Sequence, residues 1–317
     1  MSISQRLFGE PGNVKRPIVF LVLALILSTI IAPSFLSARN ISALLISSSF
    51  LIVLTLGESF VIMTGMIDLG VQSVMAFAGM LVAFLTVLHG FPASVALPLT
   101  LLAGIIVGLI AGVLVTKGRI PSFIVTLGIY WGFKGVALLF NGGNYISPAN
   151  GVFNFSSIAG NTFGVSNLIV ITLLLIVIGQ IILSLTPMGT WIKSLGSNEA
   201  AARTVGLPID SLKILMFVIS STLAGLAGIM IAAWQGSIYP TTGSGYSLQA
   251  IAAVILGGIP FSGGRGSMIG TAIGALIIGL IDDLIVLLGL PSLYEYIFVA
   301  VILIIAGFQA RSRGVVK

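Results

Sequence analysis

The groups with which proteins carry out acid–base, nucleophilic or metal chemistry are sparse in this chain: one histidine, no cysteine and eight carboxylates in 317 residues. No two carboxylates fall at helical spacing inside an apolar run, so a general acid and a matching base have nowhere to sit together. Without cysteine there are no disulfides and no thiolate metal sites. His89 stands beside Gly90 and Pro92 between apolar runs, which reads as a surface position rather than a ligand. The nearest approach to a phosphate loop, Gly258 to Arg265 (GIPFSGGR), has Arg265 where the GxxxxGK[ST] pattern needs lysine. Nucleotide binding in this chain is therefore not expected, and a membrane enzyme is the weakest of the function classes.

Residue types with a legible task occur instead in the polar stretch Thr186 to Lys213, TPMGTWIKSLGSNEAAARTVGLPIDSLK. Asn198, or Ser197 beside it, offers a side-chain oxygen to the free amides of a first helical turn, and Glu199 puts negative charge where the helix dipole favours it. About two turns follow, from Glu199 through Ala201 to Val205. Arg203 falls four residues after Glu199 on the same face, and Gly206, Leu207 and Pro208 supply a left-handed stop and a block to continuation. So short a helix is unstable alone in water. Trp191 and the flanking apolar runs can anchor one side of it. Two uses fit: a loop helix that merely joins two membrane segments, or a docking piece for another protein, which the complete start, stop and charge pair favours.

The elements that must present this helix are apolar. Hydrophobic residues make up 57% of the chain and charged residues 7%, with a mean hydropathy of +1.21, which places it among polytopic membrane proteins. Apolar runs at 17–32, 42–63, 72–88, 94–115, 121–140, 166–185, 212–234, 247–259, 267–288 and 293–309 predict about ten transmembrane helices. The first and eighth are short for a crossing, which predicts tilted, extended or broken segments. Arg6, Lys15 and Arg16 before the first run resemble a signal peptide's layout. Ala32, Pro33 and Ser34 give no small-x-small cleavage site, so the run is read as an uncleaved span.

With the amino terminus inside, ten crossings leave both termini in the cytoplasm. Arg6, Lys15, Arg16, Lys117, Arg119, Lys193, Arg203, Lys213, Arg265, Arg311, Arg313 and Lys317 then fall inside, Arg39 falls outside and Lys134 lies within a span. That bias is the positive-inside pattern. The connections 141–165 and 235–247 fall outside and carry no Lys, Arg, Asp or Glu. The expectation is an all-α polytopic membrane protein with a single transmembrane domain over 1–317 and a cytoplasmic loop at 186–213.

Two further patterns bear on how such a bundle moves. Stretches beginning at Met66 (MIDLGVQSVMAFAG) and Gly245 (GYSLQAIAAVILGG) look alike. If segments 2–5 correspond to segments 7–10, the offset of five crossings makes the halves an inverted repeat; common Gly, Ala and Leu usage produces such a likeness equally well. Glycines at 104, 108 and 112, at 225 and 228, and at 270 and 274 give flat helix faces for close packing. Pro148, Pro240 and Pro260 mark turns or broken helices.

LGSNEAAARTVGL, at Leu195 to Leu207, resembles the cytoplasmic coupling-loop motif of the carbohydrate-importing ABC permeases, the family of the ribose permease subunit. VIMTGMIDLGVQSVMAFAG (Val61 to Gly79), KGRIPSFIVTLG (Lys117 to Gly128) and the segment Gly243 to Gly279 resemble further blocks of that family in the expected order. Met66, Gly70, Gln72 and the pair Pro260 and Phe261 depart from its usual pattern, which touches substrate identity rather than the scaffold. The resemblance implies a BtuC-like, type II importer-like permease bundle in the bacterial cytoplasmic (inner) membrane. It implies two membrane subunits, a homodimer or heterodimer. It also implies cytoplasmic ABC ATPase subunits that hold ATP and Mg, and an extracytoplasmic solute-binding protein. It assigns ATPase coupling to Asn198, Glu199, Ala201, Arg203 and Gly206, with no cofactor in this chain and no nucleic-acid partner.

Pathway candidates come from polar residues in apolar surroundings, because a buried charge in a membrane is costly. Glu58 lies deep in segment 2. Asp68 lies between segments 2 and 3, where capping the third helix is the favoured role. Asn141, Asn144, Tyr246 and Gln249 offer hydrogen bonds suited to a neutral polyhydroxylated solute and serve equally well as ordinary polar positions. Lys134 reads as a snorkelling side chain. Asp282, Asp283 and Glu295 form either a negative outer rim or solvated helix ends. The favoured function is an importer permease for a monosaccharide such as ribose, with nucleosides or a signalling sugar as alternatives. The competing class is a self-sufficient secondary transporter or channel, which would need coupling or selectivity groups of its own.

Overall fold

Backbone groups in hydrocarbon have no water to bond, so each apolar run is expected to close its hydrogen bonds internally as a helix. The computed structural model describes residues 14–291 and 293–312, with side chains as far as Ile304; Arg6, Arg313 and Lys317 lie outside the described residues. The helices are α1 (Lys15–Ile31), α2 (Ala38–Met63), α3 (Val71–Ala83), α4 (Ala93–Thr116), α5 (Ser122–Leu139) and α6 (Asn167–Leu185). They continue as α7 (Pro187–Ser197), α8 (Glu199–Thr204), α9 (Ile209–Gln235), α10 (Tyr246–Leu256), α11 (Met268–Leu287) and α12 (Tyr294–Ser312). A π-helical turn, Phe84–Leu88, extends α3. Strands β1 (Asn161–Thr162) and β2 (Val165–Ser166) pair antiparallel.

Among the described residues, seven helices are long and apolar enough to cross a membrane: α2, α3 with its π turn, α4, α5, α6, α9 and α11. The remaining apolar runs became α1, α10 and α12, so ten runs gave ten apolar helices. Helix α10 has only 11 residues, about 16 Å of rise, too short to cross alone. It ends at Leu256 because Gly257 and Gly258 follow, the latter at φ 94°, and Pro260 blocks resumption. Lengths run close at three of four positions along the two halves: α2 and α9 have 26 and 27 residues, α4 and α11 have 24 and 20, α5 and α12 have 18 and 19, while α3 with its π turn has 18 against 11 in α10. A duplicated order of elements would produce this.

The chain forms two compact units. One draws on residues up to Gly65, Leu173–Leu207 and the chain from Leu248 onward; the other comprises Met66–Thr172 and Pro208–Ser247. In the first, α11 packs along α2. A methyl group at Gly279 would overlap Ser48 Oγ, and one at Gly274 would overlap the Ala253 carbonyl. Ser59 Oγ donates to Thr271 Oγ1 at 3.0 Å in the same seam. Ala32, Phe35, Leu44 and Leu280 close an apolar cluster at one end.

In the second unit, α9 packs antiparallel along α4. Gly104 faces the Ser221 carbonyl, Gly108 faces Phe217 and Val218, and Gly112 faces Ile214. One helix steps forward as the other steps back, a turn at a time. The flat glycine face expected from spacing is thus a backbone contact, and a methyl at Gly108 would lie 2.5 Å from the Val218 Cα. Gly228 approaches α3 in the same way at the Met75 carbonyl, whereas Gly225 has no contact of that closeness. Buried hydroxyls such as Thr100 and Thr172 donate back to the carbonyl four residues earlier, at 2.8 Å in both cases, which satisfies them without a second helix.

Candidate functional site

Local chemistry builds α8 as its sequence requires. Asn198 is extended (φ −162°, ψ 100°), ends α7 and begins α8, and its Oδ1 accepts from the Ala201 amide at 3.0 Å. Arg203 donates to Glu199 at 3.3 Å, with both side chains largely in solvent. An exposed i,i+4 pair of this kind is worth about 0.3–0.5 kcal/mol, so its charges are placed for presentation more than for stability. Gly206 at φ 78° turns the chain out of the helix, and the Leu207 amide reaches back to the Ala202 carbonyl at 3.2 Å. Ala202 is buried while Val205 projects, 74% exposed. One face of α8 is therefore held and the other is offered.

Sequence reasoning missed α7. The polar stretch holds two helices rather than one, because Pro187 opens a first turn where its missing amide costs nothing, and Ile192 and Leu195 bury. The last turn of α7 sits on backbone. A methyl at Gly196 would overlap both the Met63 carbonyl and the Gly264 amide, and that amide itself donates to Met63 O at 2.9 Å. Three chain segments meet there: the end of α7, the end of α2, and the connection between α10 and α11. A second tie was also missed. Gln180 on α6 accepts through Oε1 from Ser267 Oγ at 3.1 Å and from the Met268 amide at 2.9 Å, capping α11 from a helix that leads straight into α7. Only a glycine or glutamine signal too common to read alone marks these positions.

Asp68 lies between α2 and α3, outside the spans, and is buried. It does not cap α3, whose N-cap is Gly70. Its Oδ1 accepts from the Gly70 amide at 2.9 Å and its Oδ2 from Ser220 Oγ on α9 at 3.0 Å; the carboxylate ties the turn before α3 to a distant helix. Burial raises its pKa from 3.8 to about 6, against the opposing pull of those two hydrogen bonds. Because the folded value lies above the unfolded one, the protonated carboxyl favours folding. Stability from this group is full below pH 3.8 and declines as pH rises through 6, by up to about 3 kcal/mol. Asp68→Asn is expected to flatten that decline, read as melting temperature against pH.

Beside it, Gln72 and Ser247 cap one another's helices. Gln72 Oε1 accepts from the amides of Gly245 and Ser247 at 3.1 and 3.2 Å. Ser247 Oγ accepts from the Gln72 amide at 3.3 Å and donates to Leu69 O at 2.9 Å. Each is the second residue of its helix, in the two stretches whose sequences look alike. The likeness therefore corresponds to a physical interlock of matching positions.

The other pathway candidates separate. Glu58 is fully buried on α2, and Gln249 on α10 is 1% exposed with no hydrogen-bond partner for Oε1 or Nε2 among the described residues. Asn141 donates to Tyr145 O at 2.8 Å and Asn144 to Asn141 O at 3.3 Å, so both fold their own turn. Tyr246 lines an open hollow of about 610 Å³ at the end of α9. Lys134 is not at a helix end: its Nζ lies 5.1 Å from the Trp131 ring centroid and 5.7 Å from that of Tyr130, a cation–π seat. Asp283 accepts from Asn40 Nδ2 at 2.7 Å, so part of the acidic trio is engaged within the fold. His89 is exposed and rests its ring on Phe84 at 4.3 Å.

Residues 40–307 match the family described as branched-chain amino acid transport system / permease component. The chain is 34% identical over 306 residues to the ribose import permease protein RbsC of Haemophilus influenzae, covering 96% of this chain and 94% of that relative. It is 33% identical over 293 residues to the autoinducer 2 import system permease protein LsrC of Escherichia coli O9:H4, covering 92% and 85%. A solved structure of a metal-chelate type ABC transporter in an inward-facing conformation superposes with a TM-score of 0.55 at 17% identity, covering 96% of this chain and 99% of that one. At that identity the likeness concerns the fold.

Proposed function

The chain belongs to the branched-chain amino acid transport system permease family, and from that premise we propose that it is the membrane permease subunit of a binding-protein-dependent ABC importer. It forms the translocation path for a small neutral solute, a monosaccharide such as ribose or a related sugar. The observation that carries this is the α7–α8 element: a capped, charged helix offered to solvent on one face and seated through Gly196 on the ends of other segments. Such a piece suits transmission of force from outside the membrane. ATP and Mg are bound by ATPase subunits that dock there, an extracytoplasmic protein delivers the solute, and a second permease subunit completes the path. Both termini lie in the cytoplasm. Similarity to ribose and autoinducer 2 permeases supports a sugar or sugar-like cargo, and the second of these keeps a signalling sugar as the alternative.

Reconstitution tests the proposal. With its ATPase subunits and binding protein, the chain should import ribose into ATP-loaded proteoliposomes, and alone it should not accumulate solute under an ion gradient. Accumulation by the lone chain would establish a secondary transporter instead. Glu199→Arg places like charges at i,i+4 with Arg203 and reverses the charge at the start of α8. Its expected result is loss of uptake by at least about tenfold with binding-protein affinity unchanged, and normal uptake would remove α8 from the docking surface.

A further inference from the structure

The last turn of α9 and the loop after it line the open hollow of about 610 Å³, which the coupling element does not use. Its lining combines two kinds of surface. Trp234, Tyr239 and Tyr246 bring aromatic rings, and Gln235, Ser237 and Thr242 bring amide and hydroxyl groups. From Gln235 to Ser247 the chain carries no Lys, Arg, Asp or Glu. A charged solute would find no counter-ion there, and a purely apolar one would desolvate hydroxyls without compensation. Neutral solutes with an apolar face and several hydroxyls fit both halves of the lining.

The hollow is built into the fold. Ile146 and Ile238 exchange two backbone hydrogen bonds at 3.0 Å, Ser147 Oγ donates to Gly236 O at 2.9 Å, and the Tyr145 and Tyr239 rings lie 5.2 Å apart. Within the loop, the Tyr239 amide donates to Thr242 Oγ1 at 3.1 Å while the Thr242 amide returns to Tyr239 O at 3.0 Å. These ties order the loop before any ligand arrives, which lowers the ordering cost of binding. Yet Trp234 and Tyr239 remain 44% and 49% exposed. The volume lies within the roughly 300–1,000 Å³ of small-molecule sites.

Position adds direction. Helix α9 has 27 residues, about 40 Å of rise. At its start Asp210 pairs with Lys117 at 3.4 Å, with Arg119 and Lys213 nearby in sequence; the hollow lies at the other, uncharged end. By the positive-inside pattern that end faces outward.

We propose that the hollow is a low-affinity receiving site for a monosaccharide, with the Trp234 ring as platform for the sugar's C–H face and Gln235, Ser237 and Thr242 as partners for its hydroxyls. It rests on the importer proposal, and it adds to the permease a sugar contact of its own. The competing use of such rings is as an interfacial belt that holds the helix end at lipid headgroup level.

The chain has three tryptophans, and the other two, Trp131 and Trp191, are 62% and 38% exposed, so Trp131→Phe with Trp191→Phe leaves Trp234 as sole reporter in an intact full chain. In lipid nanodiscs, D-ribose is expected to change its fluorescence saturably with a midpoint in the millimolar range, a weak affinity on the scale of small ligands. Leucine should produce no change. Tyr239→Ala and Thr242→Val should each raise the midpoint at least about fivefold, and Tyr239→Phe should retain it. No saturable change, an equal response to leucine, or quenching by brominated lipid that ribose does not relieve would overturn the site. Ribose uptake by the assembled importer without any Trp234 response removes the site and keeps the importer; a Trp234 response with no ATP-driven uptake does the reverse.

Discussion

Gly196→Val is expected to lower ATP-driven uptake by about a hundredfold or more while the permease still inserts and assembles with its partners. The side chain would have to occupy the space of the Met63 carbonyl and the Gly264 amide, which are backbone atoms that cannot rotate away. Overpacking of a tight contact costs on the order of 1–3 kcal/mol, enough to lift the end of α7 from its seat and too little to unfold a polytopic bundle. The Gly264–Met63 hydrogen bond of 2.9 Å is the next link to go. With it goes the shared footing of α7, α2 and the α10–α11 connection, so motion received by α8 no longer reaches them. Gly206→Val perturbs α8 and leaves the seat alone. Gly206 has a left-handed φ of 78° and open space around a would-be Cβ, so its variant strains the turn by about 1–2 kcal/mol without entering the seat. Uptake and vesicle ATPase measured together decide the matter: Gly196→Val should hydrolyse ATP with uptake uncoupled from it. Normal uptake in Gly196→Val would show that the seat transmits nothing.

The two helices of the proposed docking element, α7 and α8, are unequally legible in the sequence, for a physical reason. Helix α8 is specified locally, by the cap at Asn198, the charge pair Glu199 and Arg203 and the stop at Gly206, and each signal works within four residues. Helix α7 is specified by what it lies on. Gly196 looks like a helix breaker until Met63 and Gly264 are placed against it. The same division runs through the rest of the molecule. Ten apolar runs gave ten apolar helices because hydrocarbon dictates the backbone outcome, and α10 ended where Gly257, Gly258 and Pro260 must end it. By local rules Asp68 caps the neighbouring helix, but its second oxygen is taken by Ser220, 152 residues away, a partner that no local rule names. Gln72 stands out in the sequence only as a departure from a resemblance. Its reciprocal bonds with Gly245 and Ser247 appear only when the starts of α3 and α10 are brought together. Local grammar foretells elements and caps, and contacts between segments decide which polar groups hold the fold and which are left to act.

Gln249→Leu is expected to raise thermal stability and depress transport together, an opposition that packing alone would not produce. The amide is 1% exposed and makes no hydrogen bond through Oε1 or Nε2 among the described residues, among buried neighbours Ala250, Ile251, Ala252 and Ala253. Each buried unsatisfied polar group costs about 1–3 kcal/mol, so replacement by an apolar side chain of similar size should stabilise this state by that order. The expectation is that the amide is used in another state, where it would meet solute hydroxyls or water. Helix α10 has the build for changing place: 11 residues, with Gly243 and Gly245 before it and Gly258 after it, all at positive φ. Uptake should fall about tenfold in Gln249→Leu and recover in part in Gln249→Asn, which keeps the amide. Because the chain contains no cysteine, Gln249→Cys gives a single reactive thiol without further engineering. It should resist a small methanethiosulfonate reagent in the resting transporter and label during ATP turnover with solute present. A thiol that stays unlabelled throughout turnover, with a leucine variant transporting normally, would reduce Gln249 to a costly core residue and take the pathway away from α10.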